Sequence, residues 1–490
     1  MLDIAYASIH ELHEAYREGT LTVKEVVLAY LARIAKIDSC EGGLKSVIEI
    51  NPDALFIAET LDRRWKETKE MPPLFGIPVL VKDNINTSGK MRTSAGSVAL
   101  ADNYTYDANV MFQINDSGAV ILGKANMTEF ANYMSREGMP NGYSSRGGQV
   151  LCPYNRDKDP SGSSSGSAVA VAAGLCVVSL GTETCGSIIS PAGVNGIVGI
   201  KPTMGLVGRS GIIPISNTFD TAGPMARSVT DAAILLGLMT EITYNDNASL
   251  AIRPSKWEYG DEEDPPLMDY TTYLTGESLE GIRIGLNREK EFSNTKEGDE
   301  AITAFDKFCE ALKNAGAILV DGIEMEPRFD PLMTMLRYEF KSSMNDYLRK
   351  RRLTNNSSIR TLKDIIEYNQ ANAPTALKYG QSLLLDSENN ASGNMTEPAY
   401  IEGLIEREKA IKEMDSLFET HNLDVLLGDS FAYIAPFTGF PSMSMPIGQR
   451  QDDNMPLHAC WTARRMDEGK MIKVAYIVEK LLGLRLRPVI

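Results

Sequence analysis

The stretch that most constrains the fold runs from residue 159 to residue 192 and reads DPSGSSSGSAVAVAAGLCVVSLGTETCGSIISPA. Two loops rich in glycine and serine enclose an apolar segment, in which residues 168–173 favour a helix and residues 175–180 favour a buried strand. Small residues in such loops let backbone N–H groups approach a ligand closely. Acyl transfer requires this combination, because a serine hydroxyl can act as the nucleophile and the N–H groups can bind the oxyanion.

Three functions compete for this stretch. A flexible linker is disfavoured, because linkers do not alternate with packed apolar segments. A phosphate-binding loop is disfavoured, because the stretch contains neither G-x-x-x-x-G-K-[ST] nor G-x-G-x-x-G. The third function is a serine hydrolase, which needs a base to activate the hydroxyl.

The chain has four histidines, the usual bases of serine hydrolases. His10 and His13 lie in SIHELHEAYREG, a pattern typical of an amphipathic surface helix. His421 and His458 stay possible partners, although neither has a serine- or aspartate-bearing motif nearby.

A lysine is the other candidate base. Lys82 directly follows residues 75–81, FGIPVLV, which read as a buried strand. Burial disfavours the ammonium and lowers the pKa of the amine, so a lysine held there can accept a proton. The alternative is a lysine that reaches the surface and pairs with Asp83. The presence of the two serine-rich loops favours the role of Lys82 as a base over the surface pair with Asp83.

Seven motifs occur in order between about residues 75 and 232. They are GIPVLVKDN, GKANMTEFAN, GYSSRGGQ, SGSSSGSAVAVAAG, GTETCGSIISPAG, GIVGIKPTMGLVGRSGIIPIS and DTAGPMARSVTDAA. Together they resemble the amidase signature family, and several resemble its peptide-amidase-like branch. The 24-residue separation of Ser163 and Ser187 agrees with that family.

The resemblance implies a Ser-Ser-Lys triad. Ser187 corresponds to the nucleophile, Ser163 to the family's serine next to a cis peptide bond, and Lys82 to the remote base. In the implied relay, neutral Lys82 takes a proton from Ser163, and Ser163 takes one from Ser187. The oxyanion hole would consist of the backbone N–H groups of Thr184, Cys185, Gly186 and Ser187.

The resemblance also implies a substrate side, which holds Asn126 and Glu129 of GKANMTEFAN and Tyr143 and Ser144 of GYSSRGGQ. From the residues alone, Asn126 and Glu129 could equally cap a helix.

Several positions depart from the family pattern. Ser161 and Ser165 stand where glycine is common, which is a mild change if both residues keep negative φ. Cys185 stands where glycine or aspartate is common, and its thiol predicts sensitivity to alkylating reagents. Ile189 stands where many members carry an arginine that pairs with an acid at the position of Glu183, so Glu183 needs another partner.

The composition limits the classes of partner. A net charge of −16 disfavours nucleic-acid binding, which depends on basic patches. The six cysteines have no C-x-x-C pair or metal-ligand spacing, which predicts thiols in a reducing compartment and no metal or cofactor. Without a signal peptide or an apolar run near 18 residues, we expect a soluble cytoplasmic protein that does not bind membranes, and a monomer or homodimer.

The chain as a whole reads as one large α/β domain, with a mixed, mostly parallel sheet covered by helices on both faces. Its expected parts are N-terminal helices in 1–70, the signature core with the triad in 71–240, a variable and largely helical cover in 241–423, and strands and a helix that complete the core in 424–490. Residues 241–279 read as a surface loop. Capping boxes predict helix starts at Ser8 and Thr22.

The predicted function is an amidase that hydrolyses a carboxamide C–N bond to a carboxylic acid and ammonia or an amine, through an acyl-serine intermediate. The substrate would be a small-molecule or peptide amide. One alternative is the glutaminase-type subunit of a tRNA-dependent amidotransferase. Another is a catalytically idle binding protein of the same fold.

Overall fold

One large sheet organises the computed structural model, which describes residues 2–240, 245–252, 268–287, 298–351 and 357–490. Eleven strands form this sheet in the order β1-β3-β2-β6-β8-β7-β12-β13-β11-β9-β10, and β4 pairs with β5 separately. The strands are β1 Val47–Ile50, β2 Pro78–Lys82, β3 Val120–Ala125, β4 Tyr143–Ser144, β5 Gly148–Gln149, β6 Val178–Glu183, β7 Val198–Lys201, β8 Thr221–Ala226, β9 Arg283–Leu286, β10 Ile318–Val320, β11 Val425–Leu427, β12 Ser442–Gln449 and β13 Pro456–Ala463.

Helices flank the sheet. They are α1 Ile9–Glu18, α2 Val23–Ile37, α3 Ala54–Thr68, α4 Met111–Asp116, α5 Ser165–Ala172, α6 Ile189–Val194, α7 Val229–Met239, α8 Asn247–Ala251, α9 Gly298–Asn314, α10 Phe329–Lys350, α11 Leu362–Ala371, α12 Ala373–Ala376, α13 Ser382–Asn390, α14 Pro398–Thr420, α15 Asp429–Thr438 and α16 Glu468–Leu482. The predicted capping boxes are present, with Ser8 before α1 and Thr22 before α2.

The α/β class and the mixed sheet are confirmed, but the expected parallel majority is wrong. Six of the ten strand pairings in the large sheet are antiparallel. Parallel pairing occurs in two groups, β3-β2-β6 and β11-β9-β10. The hydrophobic pattern of the sequence did not predict β7 and β8, because glycine and proline interrupt their sequences VGIK and TAGPMA. A loop rather than a crossover helix joins these two strands, so they pair antiparallel.

Two apolar clusters hold the layers together. The larger one joins the sheet to α1–α3, α5, α7, α9 and α16. The second joins the helices of the predicted cover, α10, α11, α13 and α14, to α15. Leu336, Phe340 and Met344 of α10 are buried in this second cluster, so they are core residues. Most of the predicted 241–279 loop lies outside the described residues. Within the described parts of the chain, no helix is long and apolar enough to cross a membrane.

Candidate active site

Lys82 ends β2, a fully buried strand whose edges pair with β3 and β6 and which α2 and α5 contact. Its Nζ lies 2.9 Å from Ser163 Oγ, 2.8 Å from Ser164 Oγ and 3.0 Å from the Thr182 carbonyl oxygen. The predicted alternative, a surface pair with Asp83, is wrong. Lys82 is completely buried.

The Asp83 carboxylate forms its hydrogen bonds and its ion pair with residues other than Lys82. Its Oδ2 accepts hydrogen bonds from the Ser94 hydroxyl and from the Gly96 N–H group at 3.0 Å. Its Oδ1 lies 3.4 Å from the Arg146 guanidinium. Asp83 therefore anchors the segment after β2 and leaves the Lys82 amine to the serine loop.

Burial lowers the pKa of Lys82 from its ordinary value of 10.5 to about 7, although the carboxylates of Glu183 and Asp220 oppose this shift. The amine is therefore neutral in a large fraction of molecules near neutral pH. A neutral amine has a lone pair and can act as a general base.

The first glycine- and serine-rich loop places the two serines that contact Lys82. The Gly162–Ser163 peptide bond is cis, and α5 begins two residues later. The Ser164 N–H group donates to the Ser187 carbonyl oxygen at 3.2 Å, which joins this loop to the second one. Ser161 adopts a φ of 60°, so the expectation of negative φ is wrong there. A left-handed conformation costs a non-glycine residue about 1–2 kcal/mol.

The second loop follows β6 and carries Ser187, which is 7% exposed. Gly186 has a φ of 76°, a left-handed conformation that glycine adopts without a Cβ clash. Glu183 Oε2 accepts hydrogen bonds from the N–H groups of Ile188 at 2.7 Å and Ile189 at 3.1 Å. This carboxylate therefore fixes the backbone immediately after Ser187.

Lys201 is a cation that acts on Glu183 in this chain, where many family members carry an arginine at the position of Ile189. It ends β7 and is 2% exposed, and its charge lowers the Glu183 pKa that burial raises. In turn, burial lowers the pKa of Lys201 to about 8. Among the described residues, Glu183 Oε1 is buried without a hydrogen-bond partner, so Lys201 acts on Glu183 through its charge and does not replace the arginine as a hydrogen-bond donor.

Asp220 forms hydrogen bonds with the second loop and with residues 215 and 216, and the sequence did not predict this role. Its Oδ1 accepts from the Thr184 hydroxyl at 2.5 Å. Its Oδ2 accepts from the N–H groups of Ile215 at 2.7 Å and Ser216 at 2.8 Å. Burial raises the pKa of Asp220 to about 6. The motif DTAGPMA begins with this aspartate, which was the only signal for it in the sequence.

Cys185 lies between the oxyanion-hole candidates Thr184 and Gly186. Burial raises the pKa of its thiol to about 12. Because the thiolate is the reactive form, this shift favours slow alkylation of a thiol that is only partly buried, and the sensitivity of the enzyme to alkylating reagents stays a prediction.

A cavity of about 920 Å³ lies beside the second loop and includes Thr182, Glu183 and Thr184 in its wall, whereas Lys82, Ser163 and Ser187 are not among its lining residues. Loop residues from Arg209 to Asp220 form one side, and the C-terminal half of α10 contributes Tyr347. Charged groups of both signs line it, because Arg209, Lys350 and Arg351 share the wall with Asp107, Asp220, Asp246 and Asp346. The cavity is large enough for an extended amide.

Two of the predicted substrate-side residues, Asn126 and Ser144, form a hydrogen bond with each other. The Ser144 hydroxyl donates to Asn126 Oδ1 at 2.7 Å, and the Asn126 amide donates to the Lys45 carbonyl oxygen at 2.9 Å. Both side chains are completely buried. The Ser144 hydroxyl oxygen also accepts from the Gly147 N–H group at 2.9 Å, so these contacts fix the backbone of the GYSSRGGQ loop. A role for either residue in binding substrate stays a prediction.

Glu129 and Tyr143 occupy the same region. The Glu129 carboxylate accepts from the Ser145 N–H group at 2.7 Å and from its hydroxyl at 2.9 Å, and burial raises the pKa of Glu129 to about 7. Tyr143 is partly buried and packs edge-on against Tyr379, with ring centroids 4.8 Å apart. Neither residue lies in the wall of the 920 Å³ cavity. Their predicted contact with substrate is untested.

Comparisons with known proteins identify the family of the chain. The family model described as Amidase matches residues 25–436. A probable amidase of Arabidopsis thaliana is 35% identical over 500 residues, covering 99% of this chain and 92% of the relative. A glutamyl-tRNA(Gln) amidotransferase subunit of Rippkaea orientalis is 31% identical over 502 residues and 97% of each chain. The solved structure of native peptide amidase from Stenotrophomonas maltophilia superposes with a TM-score of 0.89, at 37% identity over 99% of each chain.

The match to the family model covers most of the chain, and the relatives above 30% identity align over nearly their whole length. These findings show that the chain belongs to the amidase family, whose signature motifs its sequence carries.

Proposed function

We propose that the protein hydrolyses the C–N bond of a carboxamide through an acyl intermediate on Ser187, with Ser163 and Lys82 as its proton relay. The observation that carries this proposal is the set of contacts of the completely buried Lys82 amine with Ser163, Ser164 and the Thr182 carbonyl. These contacts determine which hydroxyl group can donate a proton to the lone pair of the amine.

A neutral lysine has two N–H donors and one lone pair. The Ser164 hydroxyl donates to the Thr182 carbonyl oxygen at 3.0 Å, so its oxygen accepts from Lys82 and from the Thr182 N–H group at 3.2 Å. The second N–H of Lys82 is directed to the Thr182 carbonyl. The lone pair is left for the Ser163 hydroxyl, which can donate its proton to the amine at 2.9 Å.

The proposed reaction uses the contact between Lys82 and Ser163, and its step from Ser187 to Ser163 rests on the resemblance to the triad of the amidase signature family. Lys82 takes the proton of Ser163 while Ser163 takes the proton of Ser187, and the Ser187 oxygen attacks the amide carbonyl. The N–H groups of residues 184–187 stabilise the oxyanion, and removing one such donor typically lowers kcat by about 10²–10³. The protons return through Ser163 to the leaving nitrogen, the C–N bond breaks, and water hydrolyses the acyl-serine by the same relay.

The substrate class of the proposal is a peptide or small-molecule amide. The peptide amidase of S. maltophilia matches over nearly the whole chain, and the cavity of about 920 Å³ can hold several residues of an extended peptide. The amidotransferase relative favours a second candidate, a glutaminase component that passes ammonia to partner proteins.

The test is ammonia release from a panel of peptide amides, aryl amides, aliphatic amides and glutamine. We expect the wild-type protein to hydrolyse a member of the panel, and Ser187→Ala and Lys82→Ala to lose that activity. Ser190→Ala is the matched serine control, because its hydroxyl contacts Tyr433 instead of the relay. Lys124→Met is the lysine control, because that buried amine contacts Ile85, Thr87 and Thr93.

Each outcome decides between the candidates. Hydrolysis of peptide or aryl amides without partner proteins supports the amidase. Hydrolysis of glutamine alone favours the amidotransferase component. Silence on the whole panel, together with no labelling of Ser187 by a fluorophosphonate, favours the idle binding protein.

A further inference from the structure

Three side chains with metal-binding chemistry meet outside the active site. One ligand atom each from Asp429, His458 and Cys460 can be chosen so that all three atoms lie within 4.8 Å of one another. Asp429 is exposed, His458 is partly buried and Cys460 is buried. The cluster therefore reaches from solvent into the protein.

The fold brings these residues together from two elements. His458 and Cys460 are two residues apart on β13, so their side chains point to the same face of the sheet. The N–H group of Gly428 donates to the Cys460 carbonyl oxygen at 2.8 Å, and α15 then begins with Asp429. The start of α15 is thus fixed beside the strand that carries the other two ligands.

The imidazole of His458 packs on α6, the helix that follows the nucleophile loop. A Cβ atom on Gly193 would lie 2.5 Å from the Cγ and Cδ2 atoms of that ring. Glycine is therefore required at this position of α6 if the ring is to keep its place. This close packing limits the orientations that the imidazole can adopt.

We propose that Asp429, His458 and Cys460 form a binding site for a divalent transition-metal ion, with Zn²⁺ as the best chemical match. Zinc prefers tetrahedral sites built from cysteine sulfur, histidine nitrogen and carboxylate oxygen, whereas Mg²⁺ and Ca²⁺ prefer oxygen ligands. Tetrahedral ligands at about 2.0–2.3 Å from zinc are roughly 3.3–3.8 Å apart, so small side-chain rotations bring the three atoms into range. Water on the exposed side supplies the fourth ligand.

The ion would connect α15 and β13, both of which contact α6. Tyr433 of α15 lies with its hydroxyl 3.1 Å from Ser190 Oγ in α6, and His458 packs on Gly193 of the same helix. Since the ion binds only the assembled site, binding should raise the thermal midpoint of unfolding. Binding requires the Cys460 thiolate, so the thiol releases its proton to the buffer and the affinity rises with pH.

Titration of the full-length wild-type protein with Co²⁺, and then with Zn²⁺ in competition, tests the site without any measurement of turnover. We expect one equivalent of Co²⁺ with a thiolate-to-cobalt charge-transfer band, displacement of that band by Zn²⁺, and a higher thermal midpoint. Cys460→Ser should abolish the charge-transfer band, and His458→Gln and Asp429→Asn should each weaken Co²⁺ binding at least tenfold.

Two matched controls keep the result interpretable. Cys40→Ser removes an exposed thiol elsewhere, and His421→Gln removes the imidazole that follows α14; both should bind Co²⁺ like the wild-type protein. Asp429 is exposed, so Asp429→Asn serves as the test even if Cys460→Ser does not fold. Equal Co²⁺ binding by wild-type, Asp429→Asn and His458→Gln, or a charge-transfer band that Cys40→Ser removes, would overturn the proposal.

Discussion

Replacing Lys82 by methionine should change how stability depends on pH. Burial lowers the pKa of Lys82 from 10.5 to about 7 in the folded protein. Between these values the unfolded chain carries a proton that the folded chain lacks, so the free energy of unfolding rises by about 1.4 kcal/mol per pH unit. Below pH 7 both states carry the proton, and the buried lysine lowers the stability by its full amount, about 5 kcal/mol.

Methionine fills the space of most of the lysine side chain and carries no charge, so Lys82→Met removes this dependence. The lost hydrogen bonds cost about 1 kcal/mol each, an amount that does not vary with pH over this range. Urea unfolding of both proteins at pH 7.5 and 9.5 measures the effect. Wild-type stability should rise by about 2.7 kcal/mol more than that of the variant between the two pH values.

Lys36→Met, an exposed lysine on α2, controls for the loss of a lysine. The reasoning is refuted if the difference between the wild-type protein and Lys82→Met is the same at both pH values, because the buried amine would then keep the same protonation as in the unfolded chain.

Three further predictions concern the surroundings of the relay. Asp220→Asn removes a negative charge that raises the pKa of Lys82, so the acid limb of the pH profile of kcat/KM should move to lower pH; a limb that moves to higher pH contradicts this. Lys201→Met removes the positive charge that lowers the pKa of the buried Glu183 carboxyl, so the free energy of unfolding in urea should fall more steeply between pH 5 and pH 7 than in the wild-type protein, whereas an equal fall would mean that the charge is compensated elsewhere. Iodoacetamide near neutral pH should not inactivate the enzyme through Cys185, and substrate-protected alkylation of that thiol would show otherwise.

The residues proposed for the relay could be identified from the sequence because they lie in contiguous motifs. Lys82 follows a run of apolar residues, and Ser163 and Ser187 each lie in a glycine- and serine-rich loop beside an apolar element. Local pattern indicated the two loops and the buried strand separately, and the resemblance to the amidase signature family assigned their residues to one site. The contact between Ser163 and Lys82 confirms that the strand and the first loop meet.

Long-range partners could not be predicted in the same way. Asp220 lies directly before β8, and Lys201 ends β7. The hydrophobic pattern did not reveal these two strands because glycine and proline interrupt them. The antiparallel centre of the sheet escaped prediction for the same reason. Asp429 meets His458 and Cys460 only through the pairing of β13 with its neighbours and the start of α15, which no motif indicates.

The central claim is that Ser187 carries the acyl group, and rapid-quench mass spectrometry tests it most directly. The protein is mixed with an activated anilide of its best substrate, quenched in acid within the first turnover and digested. We predict an acyl adduct on Ser187 in the wild-type protein, and none in Ser187→Ala. An adduct on the neighbouring Cys185, or turnover by Ser187→Ala at the wild-type rate, would contradict the account.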